Sequence, residues 1–206
     1  MTIDVRMSSE YACFSRPEFP AEKTSYPIIT PPAAVGAISA VFWKPEFMWK
    51  VRSVKLLAEP EWMTYRINGV KEKLPVGRIT DTFGQIDAIA SQTQIGHLVL
   101  VKPAYEVTFD ITLKPWATKS KLAYFDQAQR RLDRGAFFKP PYLGMREHMA
   151  EVEPGTGEAP VAFTLPVGPM VHSYEFDADG NVSKTRFFDA KIINGVMDVP
   201  DRGTAQ

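Results

Sequence analysis

The chain is poor in the residues that staple or metallate a protein. Its one cysteine, Cys13, excludes an internal disulfide and any zinc site built on several thiolates. Three histidines, His97, His148 and His172, are too few for a histidine-rich metal centre. No apolar run approaches the roughly 20 residues that span a bilayer. The opening Met1-Thr2-Ile3-Asp4-Val5-Arg6 alternates like a strand and does not read as a secretion signal. An excess of one charge is also missing: Lys plus Arg and Asp plus Glu each total 24, so no overall field steers the chain towards a polyanion. What remains is an average globular composition, 45% hydrophobic and 23% charged, which excludes disorder throughout. The 206 residues are enough for about one to one and a half domains. Seventeen prolines and thirteen glycines, without a period, favour turns over long helices. The expectation is a soluble, cytoplasmic protein with no membrane segment.

Charge is uneven along the chain. Lys114 to Lys139 carries seven basic residues against two acidic ones, and Lys44 to Arg78 carries eight against four. Such segments serve either as solvated helix faces or as the lining of a groove for phosphates, and charge alone does not decide between them.

Periodicity outlines the elements. Ile3, Val5 and Met7 share one face of a first strand, followed by a polar loop from Ser8 to Ile29. Thr30-Pro31-Pro32 reads as a helix start, with the helix from Ala33 to Trp43 stopping before Pro45. A second strand is expected from Lys50 to Leu57, and loops with a hairpin from Glu59 to Thr93. Tyr105, Val107, Phe109, Ile111 and Leu113 alternate with polar residues, a half-buried antiparallel strand, with His97 to Val101 as its neighbour. A helix from Thr118 to Arg134 is closed by Gly135. Glu151 to Pro160 reads as an acidic linker. Short strands at Val161–Leu165, Val171–Phe176, Val182–Phe188 and Ala190–Val199 then form a small β-meander, with turns at Asp177–Asn181 and Asn194-Gly195. The fold expected is α+β, a ferredoxin-like core over residues 1–150 with a β-rich appendage over 151–206.

The local wording goes further. Tyr11-Ala12-Cys13-Phe14-Ser15-Arg16-Pro17-Glu18-Phe19, Ser25-Tyr26-Pro27, Thr30-Pro31-Pro32-Ala33-Ala34 with Gly36, and Phe42-Trp43-Lys44-Pro45 resemble the N-terminal signature of the CRISPR-associated Cas-five family, of the RAMP superfamily, in its subtype I-C branch. Arg130-Arg131 with Gly135, Pro141-Tyr142-Leu143-Gly144 and Arg146-Glu147 agree with it, and Arg66, Asn68 and Val70 are weaker echoes. The resemblance implies an RRM-like domain that holds the repeat-derived 5′ handle of a CRISPR RNA. It implies a cap on a filament of Cas-seven subunits, contact with a large subunit and target nucleic acid, and no cofactor. In this branch the subunit is typically also a metal-independent endoribonuclease that cuts precursor RNA to a cyclic phosphate.

The catalytic part carries over poorly. The family's tyrosine or histidine before the Trp-Lys-Pro word falls on Phe42, and its Lys-His or Lys-Tyr pair falls on Ala123 and Tyr124. Tyr124, with Lys121 supplying a cation, is the remaining acid–base candidate. The expected role is therefore handle binding, with precursor cleavage as the alternative. RNA contacts are expected from Tyr11, Phe14, Arg16, Lys23, Tyr26, Lys44, Arg66, Arg130, Arg131, Arg134, Tyr142 and Arg146. Against this stand ordinary roles: a solvated, dipole-favoured helix end for the arginines, loop packing for the aromatics, an internal ion pair for Arg146. Trp43 and Trp49 read as core or subunit interface, Cys13 as a small buried hydrophobe. His97 and His172 read as structural, and His148 as exposed and without a catalytic role.

Overall fold

The computed structural model describes residues 1–19, 22–70 and 89–205; the loop expected around Lys71, Lys73 and Arg78 lies outside the described residues. In chain order the elements are β1 (Ile3–Ser9), β2 (Tyr11–Ala12), β3 (Lys23–Thr24), α1 (Pro31–Val41), β4 (Phe47–Leu56), β5 (Glu61–Val70), β6 (Gln92–Val101), β7 (Ala104–Leu113), α2 (Lys121–Asp133), β8 (Ala150–Pro154), β9 (Leu165–Phe176), β10 (Val182–Ile192), β11 (Val196–Asp198) and β12 (Thr204–Ala205).

The alternation read at Tyr105–Leu113 becomes β7, the centre of a five-stranded antiparallel sheet in the order β11-β4-β7-β1-β8. Tyr105, Val107, Phe109 and Ile111 are buried on one face with Ile3, Val5 and Met7 of β1 and Phe47, Trp49, Val51, Val54 and Leu56 of β4. The pattern of β4 skips a residue because the register shifts between Val51 and Ser53, a bulge at Arg52 that keeps Val51 and Val54 both buried. The two helices connect the strands, α1 between β1 and β4 and α2 between β7 and β8. α1 rests on β4, β8 and β9, and α2 on β8. Small Ala34, Ala37 and Ala40 beside Ile38 form the buried face of α1.

The other face of β7 carries charge, and Glu106 is fully buried there. Its carboxylate accepts from Lys55 Nζ at 2.7 Å and from the N–H groups of Thr156 and Gly157 at 2.9 and 2.8 Å. Burial alone would raise its pKa; Lys55 and the two amides outweigh it and leave the carboxyl below its ordinary value.

The structure departs from the sequence reading at several points. β6 does not pair with β7: Lys102 adopts φ 45° and turns the chain away, and β6 pairs with β5 on one edge and with β2 and β3 on the other. α1 ends at Val41, leaving Trp43 outside it, and β4 starts at Phe47. The linker is bound instead of free: Ala150–Pro154 pairs with β1, and Gly155 N–H donates to Asp4 O at 2.8 Å. Residues 161–164 are not a strand, and β9 runs unbroken from Leu165 to Phe176. The boundary expected after residue 150 falls where β8 begins. One hydrophobic core continues across it, taking in Val167, Met170, Phe188, Ile192 and Met197, while β11 joins the central sheet. No helix among the described residues is long and apolar enough to cross a membrane.

Replacing Glu106 by Ala strands the Lys55 ammonium and two loop N–H groups. A loss of about 2–4 kcal/mol is expected, read as a lower urea midpoint at an unchanged slope.

Candidate nucleic-acid interface

Two chain turns build a cationic hollow on the described surface. The first follows α1. Pro45 disfavours a helical Lys44, and Phe42, extended at φ −147°, closes the helix through its N–H to Ile38 O at 2.8 Å. Phe42 enters the core, while Trp43 and Lys44 are turned out to solvent. The second ends α2. Gly135 takes φ 59°, and the N–H groups of Gly135 and Ala136 donate to Leu132 O and Arg131 O at 3.0 and 2.9 Å, a left-handed helix stop. Between the two turns lies a cleft of about 260 Å³ lined by Lys44, Gln127, Arg130, Arg131 and Arg134, with Phe42 and Phe138 at its sides.

The three arginines are not equivalent. Arg131 Nε donates to Val41 O at 2.6 Å, and its guanidinium lies 4.0 Å from the centroid of the Phe138 ring. Phe138 N–H in turn donates to Ala40 O at 2.8 Å. Arg131 thus satisfies an open carbonyl at the end of α1 and ties the two turns together. Arg130 and Arg134 stand exposed. No ion pair among the described residues engages Lys44 or any of the three arginines.

The two catalytic candidates are corrected. Tyr124 is 1% exposed, its ring 5.1 Å from that of Phe47, which stacks on Phe42 at 5.6 Å. Burial first, then the Glu46 carboxylate, raises its pKa, so it is a core phenol. Lys121 is bound to Asp110, which also accepts from Arg52 Nη2 at 2.6 Å and from Ile111 N–H at 2.7 Å. Burial would raise the Asp110 carboxyl, but Lys121, Arg52 and the amide hold it at about 2. A lysine neutralised in this way does not offer a free cation to a phosphate.

The first loop is also corrected. Phe14 and Tyr26 are buried, not presented for stacking; Phe14 N–H donates to Ser25 Oγ at 2.9 Å and Tyr26 Oη donates to Pro169 O at 3.0 Å. Burial, with Glu18 second, pushes the Tyr26 phenol up to about 12. Arg16 lies over the Tyr26 ring at 4.6 Å, and Lys23 sits on β3. Tyr142 lines a second groove, of about 310 Å³, with Phe14, Thr30, Gly144 and Tyr174. Gly144 is required there: at φ 84°, a Cβ would lie 1.9 Å from Cys13 O. Cys13 is buried beside Ser15. Arg146 is exposed, and Arg66 lies exposed on β5 of the other sheet. The expected contacts therefore divide: Lys44, Arg130, Arg131 and Arg134 share the cleft, and Tyr11, Arg16, Lys23, Arg66, Tyr142 and Arg146 lie outside its lining.

His148, expected at the surface, is buried: Leu143 N–H donates to His148 O at 2.9 Å and Tyr142 pairs with Met149, folding the segment inward. Its Nε2 meets Tyr65 Oη at 3.4 Å, with Tyr11 beside it, and the His97 ring lies 5.2 Å from Tyr65. Burial lowers both imidazole pKa values, keeping them neutral. His172 meets Pro200 O at 2.9 Å. Among the described residues no three His, Cys, Asp or Glu side chains converge as metal ligands. Sequence reasoning missed the exposure of Phe138; Trp43, read as core or subunit interface, is exposed and not core, and the two border a further hollow of about 550 Å³ with Ser39 and Lys139. The signal was there: two phenylalanines, Phe137 and Phe138, directly after a helix stop and before Lys139-Pro140-Pro141.

A family described as CRISPR-associated protein (Cas_Cas5), in its Cas5d form, matches residues 2–200. The chain belongs to the Cas5d family. A relative from Thermus thermophilus, named CRISPR pre-crRNA endoribonuclease Cas5d, is 37% identical over 96% of this chain and 91% of its own length. A relative of the same name from Mannheimia succiniciproducens is 29% identical over 96% and 94%. Among solved structures, a CRISPR-associated protein superposes with TM-score 0.73 at 18% identity, covering 98% of this chain and 93% of that one. The functionally uncharacterized SMU1763c from Streptococcus mutans gives 0.72 at 18%, covering 100% and 97%. A chain of a CRISPR RNA-guided surveillance complex gives 0.52 at 13%, covering 100% and 91%. These likenesses show a common α+β, largely antiparallel fold.

Two outcomes follow for the cations. Arg131→Ala is expected to cost about 1–3 kcal/mol in urea unfolding, whereas Arg130→Ala and Arg134→Ala stay within about 0.5 kcal/mol. Asp110, held at about 2 when folded against about 3.9 unfolded, contributes its stability fully above about pH 4. As pH falls towards 2 roughly 2 kcal/mol is lost, and Asp110→Asn should flatten that acid limb in denaturation measured against pH.

Proposed function

We propose that this chain is the guide-RNA-binding subunit of a type I, Cascade-like CRISPR effector complex: it holds the repeat-derived 5′ handle and caps the Cas-seven filament, acting in the cytoplasm in antiviral defence. We read the core as ferredoxin-like (RRM-like). Two strand–helix–strand units, β1-α1-β4 and β7-α2-β8, interleave as β4-β7-β1-β8, and the strands from β9 onward extend it.

One observation carries the reading. Lys44, Arg130 and Arg134, from turns far apart in sequence, meet in one cleft without a carboxylate partner among the described residues. In a chain with equal numbers of acids and bases, unpaired cations facing one hollow mark an anion-binding site. Phosphate contacts position a nucleic acid without reading its sequence. The partners of this reading are the CRISPR repeat RNA, the backbone subunit, a large subunit and target nucleic acid; no cofactor enters it.

Cleavage does not belong to the leading reading. The positions matching the family's acid–base groups are the buried Phe42 and Tyr124 and the chargeless Ala123. Without a general base and an electrostatic stabiliser, transesterification by the ribose 2′-hydroxyl loses orders of magnitude in rate. A second reading, an active precursor-RNA endoribonuclease, has one observation in its favour: both curated relatives bear that name.

Arg130→Ala combined with Arg134→Ala is expected to weaken binding of labelled repeat RNA by roughly 1–3 kcal/mol and to lower the salt slope by about 1.4. Unchanged affinity at moderate salt defeats the assignment. Incubated in EDTA, the repeat RNA is expected to stay bound and uncut; site-specific cleavage that Tyr124→Phe removes would establish the second reading.

A further inference from the structure

Beside the cationic cleft lies a hollow of about 550 Å³ bordered by Ser39, Trp43, Phe138 and Lys139. The two share Phe138. Trp43 is 54% exposed and Phe138 64% exposed, an arrangement that costs apolar hydration unless something covers it. The Phe138 ring is held in place. Phe138 is pinned by its N–H to Ala40 O at 2.8 Å and by Arg131 over its ring. Trp43 stands between the buried Phe42 and the exposed Lys44 at the end of α1.

We infer that Trp43 and Phe138 form a stacking slot for one unstacked nucleobase of single-stranded RNA, whose neighbouring phosphates lie on Lys44, Arg130 and Arg134. The inference rests on the RNA-binding reading above and deepens it by naming a base subsite. A base has an apolar face on each side and a charged backbone beside it. The slot offers two aromatic rings, Lys139 lines it, and the cationic cleft adjoins it at Phe138. Among the described residues no carboxylate lines either hollow. The Ser39 hydroxyl, without a hydrogen-bond partner among the described residues, faces the same hollow and can meet a base edge. Stacking on aromatics is tolerant of base identity because every base has a π-face. An apolar patch on a partner protein would fit the rings but would bury the surrounding cations unpaired.

The test uses the full chain and its repeat RNA, with affinity followed by anisotropy and Trp43 by fluorescence. Trp43→Ala is expected to weaken binding roughly 5- to 150-fold with an unchanged salt slope, unlike the arginine variants, whose slope falls. Trp43→Phe keeps most of the affinity while removing the part of the RNA-induced quenching that Trp43 supplies; Trp49, Trp62 and Trp116 supply the rest. An abasic nucleotide moved stepwise along the RNA should weaken wild type at one position and leave Trp43→Ala unaffected there. The Trp43→Phe quenching and the position at which an abasic nucleotide weakens wild type are read without Trp43→Ala and hold even where that variant folds poorly. RNA binding that falls in Arg130→Ala/Arg134→Ala but is unchanged in Trp43→Ala, with no quenching assigned to Trp43, overturns the slot and leaves the RNA-binding reading standing. Loss of assembly with a protein partner at unchanged RNA affinity also overturns it. Indifference of RNA affinity to all these variants overturns the RNA-binding reading itself.

Discussion

A carboxylate buried in the middle of a sheet has to be matched by cations and amides or it drives the sheet apart. β7 carries two such groups, Glu106 and Asp110, on the face opposite its aromatic residues. Their demands set much of the surrounding structure. Glu106 takes Lys55 from the neighbouring strand and draws the 155–157 loop over the sheet. Asp110 takes Arg52 from the bulge in β4 and Lys121 from the first turn of α2. The bulge that keeps Val51 and Val54 inside therefore also brings Arg52 to its partner, and α2 is anchored at its start by a charge it would otherwise present to solvent.

The same demand sorts the cations of a neutral chain into two classes. Arg6, Lys50, Arg52, Lys55, Lys121, Arg186 and Lys191 are committed to carboxylates. Among the described residues no ion pair engages Lys44, Arg130 or Arg134, nor Arg16, Lys23, Arg66, Lys139 or Arg146, and the first three converge on the cleft. Arg131, also without a carboxylate among the described residues, has a second task. It closes the end of α1 through Val41 O and supports Phe138, so it contributes charge to the cleft while holding its walls in place. A site assembled from two turns needs such a tie, because neither turn is part of the hydrogen-bonded sheet that would fix the other.

Local signals were legible in the sequence and long-range ones were not. The alternation of β7 and the stop at Gly135 both depend on residues within a few positions of each other. The pairing of β6 could not be read that way: alternation tells which side chains share a face, not which strand lies alongside, and the turn rests on a lysine at φ 45°. The capture of Lys121 by Asp110 spans eleven positions and a change of element. Phe14 and Tyr26 looked like loop residues because their neighbours are polar. In fact the loop is threaded inward, with Tyr26 N–H donating to Phe14 O at 2.9 Å and Cys13 N–H to Leu143 O at 3.3 Å. The cations of the cleft were identifiable as a group because three of them share one helix end; that Lys44 joins them is a tertiary fact.

The fate of the acid–base positions follows from the same geometry. Phe42, Phe47 and Tyr124 lie ring against ring, and Trp49, which donates to Phe42 O at 2.8 Å, continues the cluster towards Phe109 and Phe125. Aromatic side chains here fasten the end of α1 and the face of α2 to the sheet, which stabilises the two turns that carry the cleft. A tyrosine or histidine in place of Phe42 would need a polar partner at a site only 3% exposed. Exposed cations at the rims and aromatic rings packed beneath them are thus different residues of one neighbourhood.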